Sequence, residues 1–382
     1  MNLLNHDLNS LNKYFLNIGE SNFRATQVFK WIYKDLKMNF EEMTNISKKS
    51  RLHLEKEFEI KIPQVYSHNI SKDGTVKLLM YVPNDINNKY ETIYIPEKKR
   101  GTLCISSQVG CALTCKFCET GLRGFNRNLK TWEIVGQIIS TRILLHSLKG
   151  YSHHKLITNV VFMGMGEPLL NYENLLTSLK IILEEKGLGF SRRKVTVSTS
   201  GVVPKIKKLK KDLPVSLAIS LHGSNDSLRS RIMPINNTYN VESLIDACEF
   251  YLKFRQARSL SAPRPFITIE YIMINKINDF QKNALELVNL LDKKKYKINL
   301  INFNRISNSK FEPSTNDRMK LFKELLLSHG FVVTVRKTRG DDTNSACGQL
   351  SGDFMNKIKL PNKTSFFIDG QHREHWFYSK NR

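Results

Sequence analysis

The chain has 382 residues, 41% of them hydrophobic, enough for one large domain with a smaller one beside it. Lys and Arg number 59 against 35 Asp and Glu, and the resulting formal charge of +24 suits a polyanionic partner, most simply nucleic acid; lysines scattered over solvated faces give the same sum. Six cysteines are too few for a disulfide scaffold, no stretch approaches the length of a membrane span, and MNLLNHDLNSLNKYF lacks the basic-then-apolar order of a secretory leader, so a cytoplasmic protein is expected.

Residues 1–85 read as a separate small module. In SNFRATQVFKWIYKDL, the residues Ala25, Val28, Phe29, Ile32 and Tyr33 recur at helical spacing. A second helix is predicted over Ser47–Phe58. Two strands follow, TVKLLMYV and YETIYI, with turn chemistry in DGT before the first and PNDINN between them. From Thr102 onward strands alternate with helices. The strands read as TLCIS, TNVVFM, KVTVST, VSLAISL, FITIEYIM and KINLINF. Helices are predicted at Trp132–Leu145, Tyr172–Glu184, Val203–Lys211, Val241–Phe254 and Asp279–Leu291, then one more at Asn316–Leu327 and a last strand, FVVTV. Arg255–Pro265 reads as a loop, and no solenoid repeat is visible. Six βα units predict an α/β fold with a parallel sheet and helices outside, either an open barrel or a doubly wound sheet. The active site of such folds lies at the carboxyl ends of the strands. Residues 86–340 would form this core, and residues 341–382 a C-terminal segment.

The densest chemistry is CALTCKFC, with Cys111, Cys115 and Cys118 spaced C-x3-C-x2-C on a loop after the first core strand. Clustered thiolates select zinc or iron–sulfur. A structural zinc wants four ligands, commonly two C-x2-C pairs, and no His follows at ligand spacing; Cys104, seven residues upstream, is the remaining candidate for a fourth. Three thiolates can instead hold three irons of a 4Fe–4S cluster and leave the fourth iron open for reaction. GMGEPLLN, Gly164–Asn171, follows the second strand; Gly166 would let a ligand approach the backbone closely, and Glu167 could accept hydrogen bonds from an ammonium. Ser198 ends the third strand, Ser220, Leu221 and His222 end the fourth, and Asn304 ends the sixth. Each alone is an ordinary strand-end turn or cap, and it is their recurrence on one rim that points to a cofactor. Cys248 lies in a helical pattern and reads as a small core residue. Cys347, in RGDDTNSACGQL, sits among loop residues, where a thiol on a basic protein can act as a nucleophile.

The spacing C-x3-C-x2-C, with Phe117 between the second and third cysteines, resembles the radical SAM signature, and GMGEP resembles the motif of that superfamily that contacts the methionine amino group. FRATQVFKWIY, GTLCISSQVGCALTCKFCETGLRGFNRNLKTWEIVGQI, NVVFMGMGEPLLN, VTVSTSGVVP, LAISLH and RKTRGDDTNSACGQL together resemble the RlmN family of adenine carbon-2 RNA methyltransferases, nearly to Asp353. The resemblance implies a partial (βα)6 barrel with a small, mainly helical N-terminal accessory domain that binds RNA. It implies a 4Fe–4S cluster on Cys111, Cys115 and Cys118. It places S-adenosylmethionine, two molecules per turnover, on Gly166, Glu167, Ser198, Ser220, Leu221, His222 and Asn304. Cys347 would carry the methyl group, Cys104 would resolve the adduct through a transient disulfide, and Glu91 would be the general base. The partners implied are 23S rRNA, tRNA and a flavodoxin-type electron donor, with the enzyme a monomer and no membrane involved.

A sister family methylates carbon 8 of the same rRNA adenosine with the same cysteines; FNRNL, RKTRGDD and the longer N-terminal module resemble the carbon-2 family more. A zinc-stabilised RNA-binding protein without catalysis is the reading from another class, and it leaves GMGEP, SLH and both outlying cysteines without a purpose. INFNRISNSKF departs from the family's IPWNPFPG pattern. Asn302, Phe303 and Arg305 replace Pro, Trp and Pro, and with both prolines gone a more flexible loop is expected there. The closing IDGQHREHWFYSKNR resembles nothing in the family.

Overall fold

The computed structural model describes residues 1–148, 157–253, 266–307 and 309–357. Three helices, α1 (Leu8–Asn17), α2 (Phe23–Tyr33) and α3 (Lys48–Glu57), close a small core on Leu11, Phe15, Val28, Phe29, Ile32 and Leu54. Asp7 and Ser47 cap α1 and α3 by accepting the N–H of Ser10 and Ser50. The two helices expected in this module are α2 and α3. The first helix, in the Asn-rich start, was hidden by residues that favour turns as readily as helix.

Beyond this unit the chain builds a ten-stranded sheet. β1 (Gln64–Ile70), β2 (Val76–Tyr81), β3 (Tyr90–Glu97) and β4 (Arg100–Cys104) are joined antiparallel in chain order. A separate hairpin follows, β5 (Gln108–Gly110) and β6 (Phe125–Asn128), with the short α4 (Glu119–Arg123) between its arms. Then α5 (Thr131–Ser147) leads to β7 (Asn159–Phe162), α6 (Tyr172–Leu183) to β8 (Val195–Thr199), and α7 (Val203–Asp212) to β9 (Ser216–Ser220). Two helices, α8 (Asp226–Ile232) and α9 (Val241–Lys253), precede β10 (Ile267–Met273); α10 (Gln281–Leu290) precedes β11 (Tyr296–Asn302), and α11 (Asn316–Ser328) precedes β12 (Val332–Arg336).

The six expected core strands are β4 and β7 to β11, and FVVTV is β12. All seven run parallel, and neighbours in the sheet are neighbours in the chain. A doubly wound sheet reverses its strand order at one point, and this one does not. Among the described residues no pairing joins the two edge strands, β1 and β12, so the sheet is an open, partial barrel. β1 and β2 fall within residues 1–85 yet continue the core sheet, so the sheet crosses that expected boundary.

The helical unit is fixed to the barrel through α5. Leu3 and Leu4 are fully buried, and Asn5 Oδ1 accepts the N–H of Trp132 at 3.2 Å. Gly136 lets α5 pass close to the chain entering β1; a Cβ there would lie 2.3 Å from Pro63 Cδ. Among the described residues no helix is long and apolar enough to cross a membrane. The expected helix end at Phe254, the loop Arg255–Pro265 and the chain after residue 357 lie outside the described residues.

Candidate active site

The carboxyl ends of the parallel strands open onto one cleft of about 1060 Å3, solvent mouth included. Cys104, Cys111, Cys115, Cys118, Gly166, Glu167, Ser198, Ser220, His222 and Cys347 all line it. The remaining three predicted residues stand outside the lining. Leu221 is fully buried behind it, and Asn304 and Glu91 act on the Cys347 loop, as described below.

The three clustered cysteines leave β5 on a tight loop. Cys111 N–H donates to the carbonyl of Gly124 at 2.7 Å, and Cys118 starts α4, its carbonyl accepting the N–H of Leu122 at 3.1 Å. Burial pushes the Cys111 thiol well above its usual range, and Cys115 and Cys118 add to the effect. Burial and Cys118 push Cys115 up to about 12, and burial raises Cys118. Thiols kept protonated in this way are poor free acids; a bound polynuclear cation reverses the balance and holds them as thiolates. Among the described residues no three His, Cys, Asp or Glu side chains lie close enough together for a single metal ion.

The cradle opposite is made of strand ends. Gly166 has φ +96°, and a Cβ there would lie 2.5 Å from the Gln108 side chain. Gln108 Oε1 accepts the Glu167 N–H at 2.9 Å. Glu167 is buried, which raises its carboxyl pKa, but its oxygens accept the N–H groups of Leu169 at 3.0 Å and Ser200 at 2.7 Å. The Thr199 and Ser200 side chains also hydrogen-bond to this carboxylate, fixing it where an ammonium could meet it. His222 takes φ +57° at the end of β9, and its Nδ1 accepts the N–H of Ile272 at 3.0 Å, which leaves the proton on Nε2. Burial, then Arg229, lower its pKa to about 3, so the ring is neutral; it stands edge-on to Phe117 at 4.7 Å. A neutral donor, two serines and a carboxylate around one cleft form a polar set suited to an amino acid–nucleoside cofactor.

Cys347 arrives on a strap, residues 340–353, that crosses from β12 to β3. Asn304 Nδ2 donates to the Cys347 carbonyl at 3.0 Å, and Glu119 N–H donates to the Gly348 carbonyl at 2.8 Å, docking the loop beside Cys118. Lys77 Nζ donates to the Asn344 carbonyl at 3.1 Å and pairs with Glu91 at 2.9 Å; the other Glu91 oxygen accepts the N–H of Ser351 at 3.1 Å. Glu91 therefore clasps the strap from both sides of Cys347. Cys104 lies opposite Ile93 in the β3–β4 register, facing the cleft, and burial pushes its thiol up to about 12. All six cysteines are free thiols, so the Cys104–Cys347 disulfide implied for the end of turnover is not a standing bond of the fold. The departing loop after β11 is tied at its base: Asn302 donates to the Ser314 carbonyl at 3.0 Å and accepts the Ser314 N–H at 2.8 Å, and Arg305 pairs with Glu312.

Three further charged residues belong to the site. Arg229 is fully buried; its Nε donates to the Leu221 carbonyl at 3.1 Å and its Nη2 to the Ser200 carbonyl at 2.5 Å, joining the ends of β8 and β9. Arg336, at the end of β12, lines the cleft with Glu270 between the two outlying cysteines. Burial works against its charge, but Cys347, Glu270 and Cys104 outweigh that and raise its pKa. Nothing in SLRSRIM marks Arg229; Arg336 opens the RKTRGDD run that resembles the family and follows a predicted strand, yet neither feature assigned it to the cleft.

Residues 1–60 match the ribosomal RNA large subunit methyltransferase N-terminal domain, and residues 105–288 match the radical SAM superfamily. A radical SAM methyltransferase from Sphaerobacter thermophilus is 35% identical, covering 92% of this chain and 99% of that one, with a TM-score of 0.81. A domain of pyruvate-formate lyase-activating enzyme from Bacteroides vulgatus is 18% identical over 47% of this chain and 99% of its own, TM-score 0.35. The hydrogenase maturase HydG from Carboxydothermus hydrogenoformans is 13% identical over 67% and 58%, TM-score 0.44. These two are too distant to bear on the site. Fold and cleft thus define a radical SAM methyltransferase, an enzyme that uses a 4Fe–4S cluster and S-adenosylmethionine. With the N-terminal rRNA methyltransferase domain on the same chain, the protein belongs to the RlmN family, whose substrates are RNA.

Proposed function

We propose that this enzyme methylates carbon 2 of an adenosine in the peptidyl-transferase centre of 23S rRNA and of an adenosine beside the anticodon in tRNA, by way of a methyl group carried on Cys347. The observation that supports the methyl-carrier route is the placement of two further thiols, Cys104 and Cys347, in the same cleft as Cys111, Cys115 and Cys118, and the choice of carbon 2 over carbon 8 rests on the resemblance of FNRNL, RKTRGDD and the N-terminal module. A methyltransferase acting directly on its substrate needs no such pair. Carbon 2 of adenine is electron-poor and cannot attack a sulfonium methyl, but a cysteine thiolate can.

Cys111, Cys115 and Cys118 would hold the cluster. Gly166, Glu167, Ser198, Ser220 and His222 would hold S-adenosylmethionine; Leu221 would back that wall, and Asn304 would act by fixing the Cys347 carbonyl. Cys347 first takes the sulfonium methyl group, becoming a thioether. When bound, the cluster and a second cofactor molecule would supply the radical chemistry by which that methyl loses one hydrogen atom, with the one electron lent to the reaction returned afterwards. When the methyl carbon has joined carbon 2 and the ring proton has left, with Glu91 as its acceptor, adenine is tethered to Cys347 through a methylene. Cys104 loses its proton and attacks the Cys347 sulfur. The S–S bond forms, the S–C bond breaks, and the carbon keeps the electron pair and takes a proton to become the methyl product. Cellular thiols then reduce the disulfide. The helical unit within residues 1–85 is read as an RNA-gripping accessory domain, residues 86–340 as the catalytic core, and the enzyme as a cytoplasmic monomer served by a flavodoxin-type donor.

The test is Cys347→Ala. Methylation should vanish while the iron content and iron–sulfur absorbance persist, because Cys347 is not a cluster ligand. Loss of iron, or normal turnover, would sink the assignment.

A further inference from the structure

β1 is an edge strand whose residues, Val65 aside, are all exposed, an arrangement that invites a partner. In the antiparallel register Gln64 lies opposite Tyr81, and a bulge between Val65 and Ser67 leaves Tyr66 beside them. Strand direction places this corner at the active-site end of the molecule. β3 runs opposite to β4, so Tyr90 and Glu91 stand beyond Cys104 on the rim where the parallel strands end, and Tyr81 and Tyr66 follow on that rim. The face matches as well. Leu79 is opposite Glu91, so Tyr81 shares the face of Lys77 and Glu91, which carries Ile93 and Ile95 on into the cleft.

Tyr66 is 57% exposed, unusually so for an aromatic ring inside a strand. Tyr81 stands at 87° to it, with ring centroids 6.0 Å apart, and donates its hydroxyl to Gln64 Oε1 at 2.6 Å. Lys89 Nζ sits 4.6 Å above the Tyr66 ring and is itself pinned by Asp353 at 2.6 Å, on the strap that carries Cys347. Lys89 and Tyr81 thus hold the ring from two directions, and the residue still keeps more than half of its surface exposed. With neighbouring strands about 4.8 Å apart, β1 lies about 10 Å from β3, a step of one or two nucleotides from the Glu91 side of the cleft. The net charge of +24 is in keeping with an RNA partner for this surface.

We propose that Tyr66, held by Tyr81 and Lys89, is a stacking shelf for an unpaired RNA base one or two nucleotides from the target adenosine. An adenine drawn out of its stack leaves its neighbours unstacked, and a rigid aromatic at that distance offers one of them a replacement surface. The inference rests on the RNA-methylating reading above and goes beyond it by naming a surface outside the catalytic cleft. A second copy of the chain pairing along β1 is the competing occupant.

The test compares Tyr66→Ala, Tyr66→Phe and Tyr81→Ala with the parent enzyme. Binding is measured to a 23S rRNA fragment spanning the peptidyl-transferase centre and to a fully paired RNA duplex of equal length. Tyr66→Ala should bind the fragment about 5- to 100-fold more weakly. Tyr66→Phe should match the parent, and Tyr81→Ala should fall between. Duplex affinity and the slope of affinity against salt should not change, because stacking releases no counterions. Equal loss for fragment and duplex, or no loss with Tyr66→Ala, would overturn the shelf. Unchanged RNA affinity together with a shift from dimer to monomer in sedimentation would assign the strand to self-association instead. Methylation of Cys347 by S-adenosylmethionine without RNA, read by intact-protein mass spectrometry, should be the same in all variants. Its absence in the parent enzyme would count against the methyl-carrier reading and leave the shelf to be judged on binding alone.

Discussion

At the scale of single residues the site works by withholding charge until a ligand or partner calls for it. Burial keeps Cys104 protonated near neutral pH, with a pKa of about 12, so the thiol proposed to resolve the adduct would stay quiet until that step. His222 is a parallel case with a measurable consequence. Its folded-state pKa of about 3 lies below the unfolded value near 6.5, so the unfolded chain binds the extra proton between those limits. The stability that depends on neutral His222 is therefore complete above about pH 6.5 and declines as the pH falls toward 3. Urea unfolding from pH 7.5 to 4.5 should show stability falling with acid, and the fall should be shallower in His222→Gln, which cannot take up the proton. An equal slope in both proteins would mean that the ring is not held neutral. Glu91 illustrates a different point. A strand carboxylate was visible in YETIYIP, but the clasp it makes with Lys77 and Ser351 joins residues more than 250 positions apart and no local pattern encodes it.

At the scale of elements, the site depends on loops that rigid neighbours hold still. Arg127 on β6 donates both Nη groups to Glu133 at 2.8 and 2.7 Å and its Nε to Asp85 at 2.7 Å, locking the hairpin after the cysteine loop to the start of α5. Glu133 is 1% exposed, so removing its partner strands a buried carboxylate. Arg127→Ala should cost about 3 kcal/mol of stability and loosen the cluster, read as a lower midpoint in urea and faster loss of iron to a chelator. A change within error on both would show that the hairpin is held by other contacts. The larger elements were legible because their periods are strong: all six βα strands and most helix ends agree with the reading to within a residue or two. Other elements escaped for physical reasons. β1 is exposed along nearly its whole length and has no alternating face; β5 and β6 are three and four residues long; α8 is a seven-residue helix with no room for a period. Most of the site was legible through cysteine spacing and strand-end polar residues. The arginines were not, since Arg229 and Arg336 acquire their roles only when the strand ends converge.

At the scale of the molecule, a barrel left open at one edge, a helical unit seated on α5 and a strap that returns to β3 are three ways of bringing distant sequence to one rim. The antiparallel extension β1–β3 is the least expected of these, because it gives the cleft a wall that carries Glu91 and a rim that carries Tyr66. A net charge of +24 supplies salt-dependent affinity for RNA without selecting a base, so the choice of atom must come from the cleft. The central claim is that this cleft delivers a methyl group from Cys347 to carbon 2 of adenine. The most direct measurement is mass spectrometry of nucleosides from 23S rRNA fragments and total tRNA, after anaerobic reaction with the iron-loaded enzyme, S-adenosylmethionine and a reductant. Carbon-2 methyladenosine is the predicted product, with Cys104→Ala giving a covalent enzyme–RNA adduct in its place. Carbon-8 methyladenosine, or no methylated adenosine from an enzyme that still cleaves its cofactor, would contradict the account.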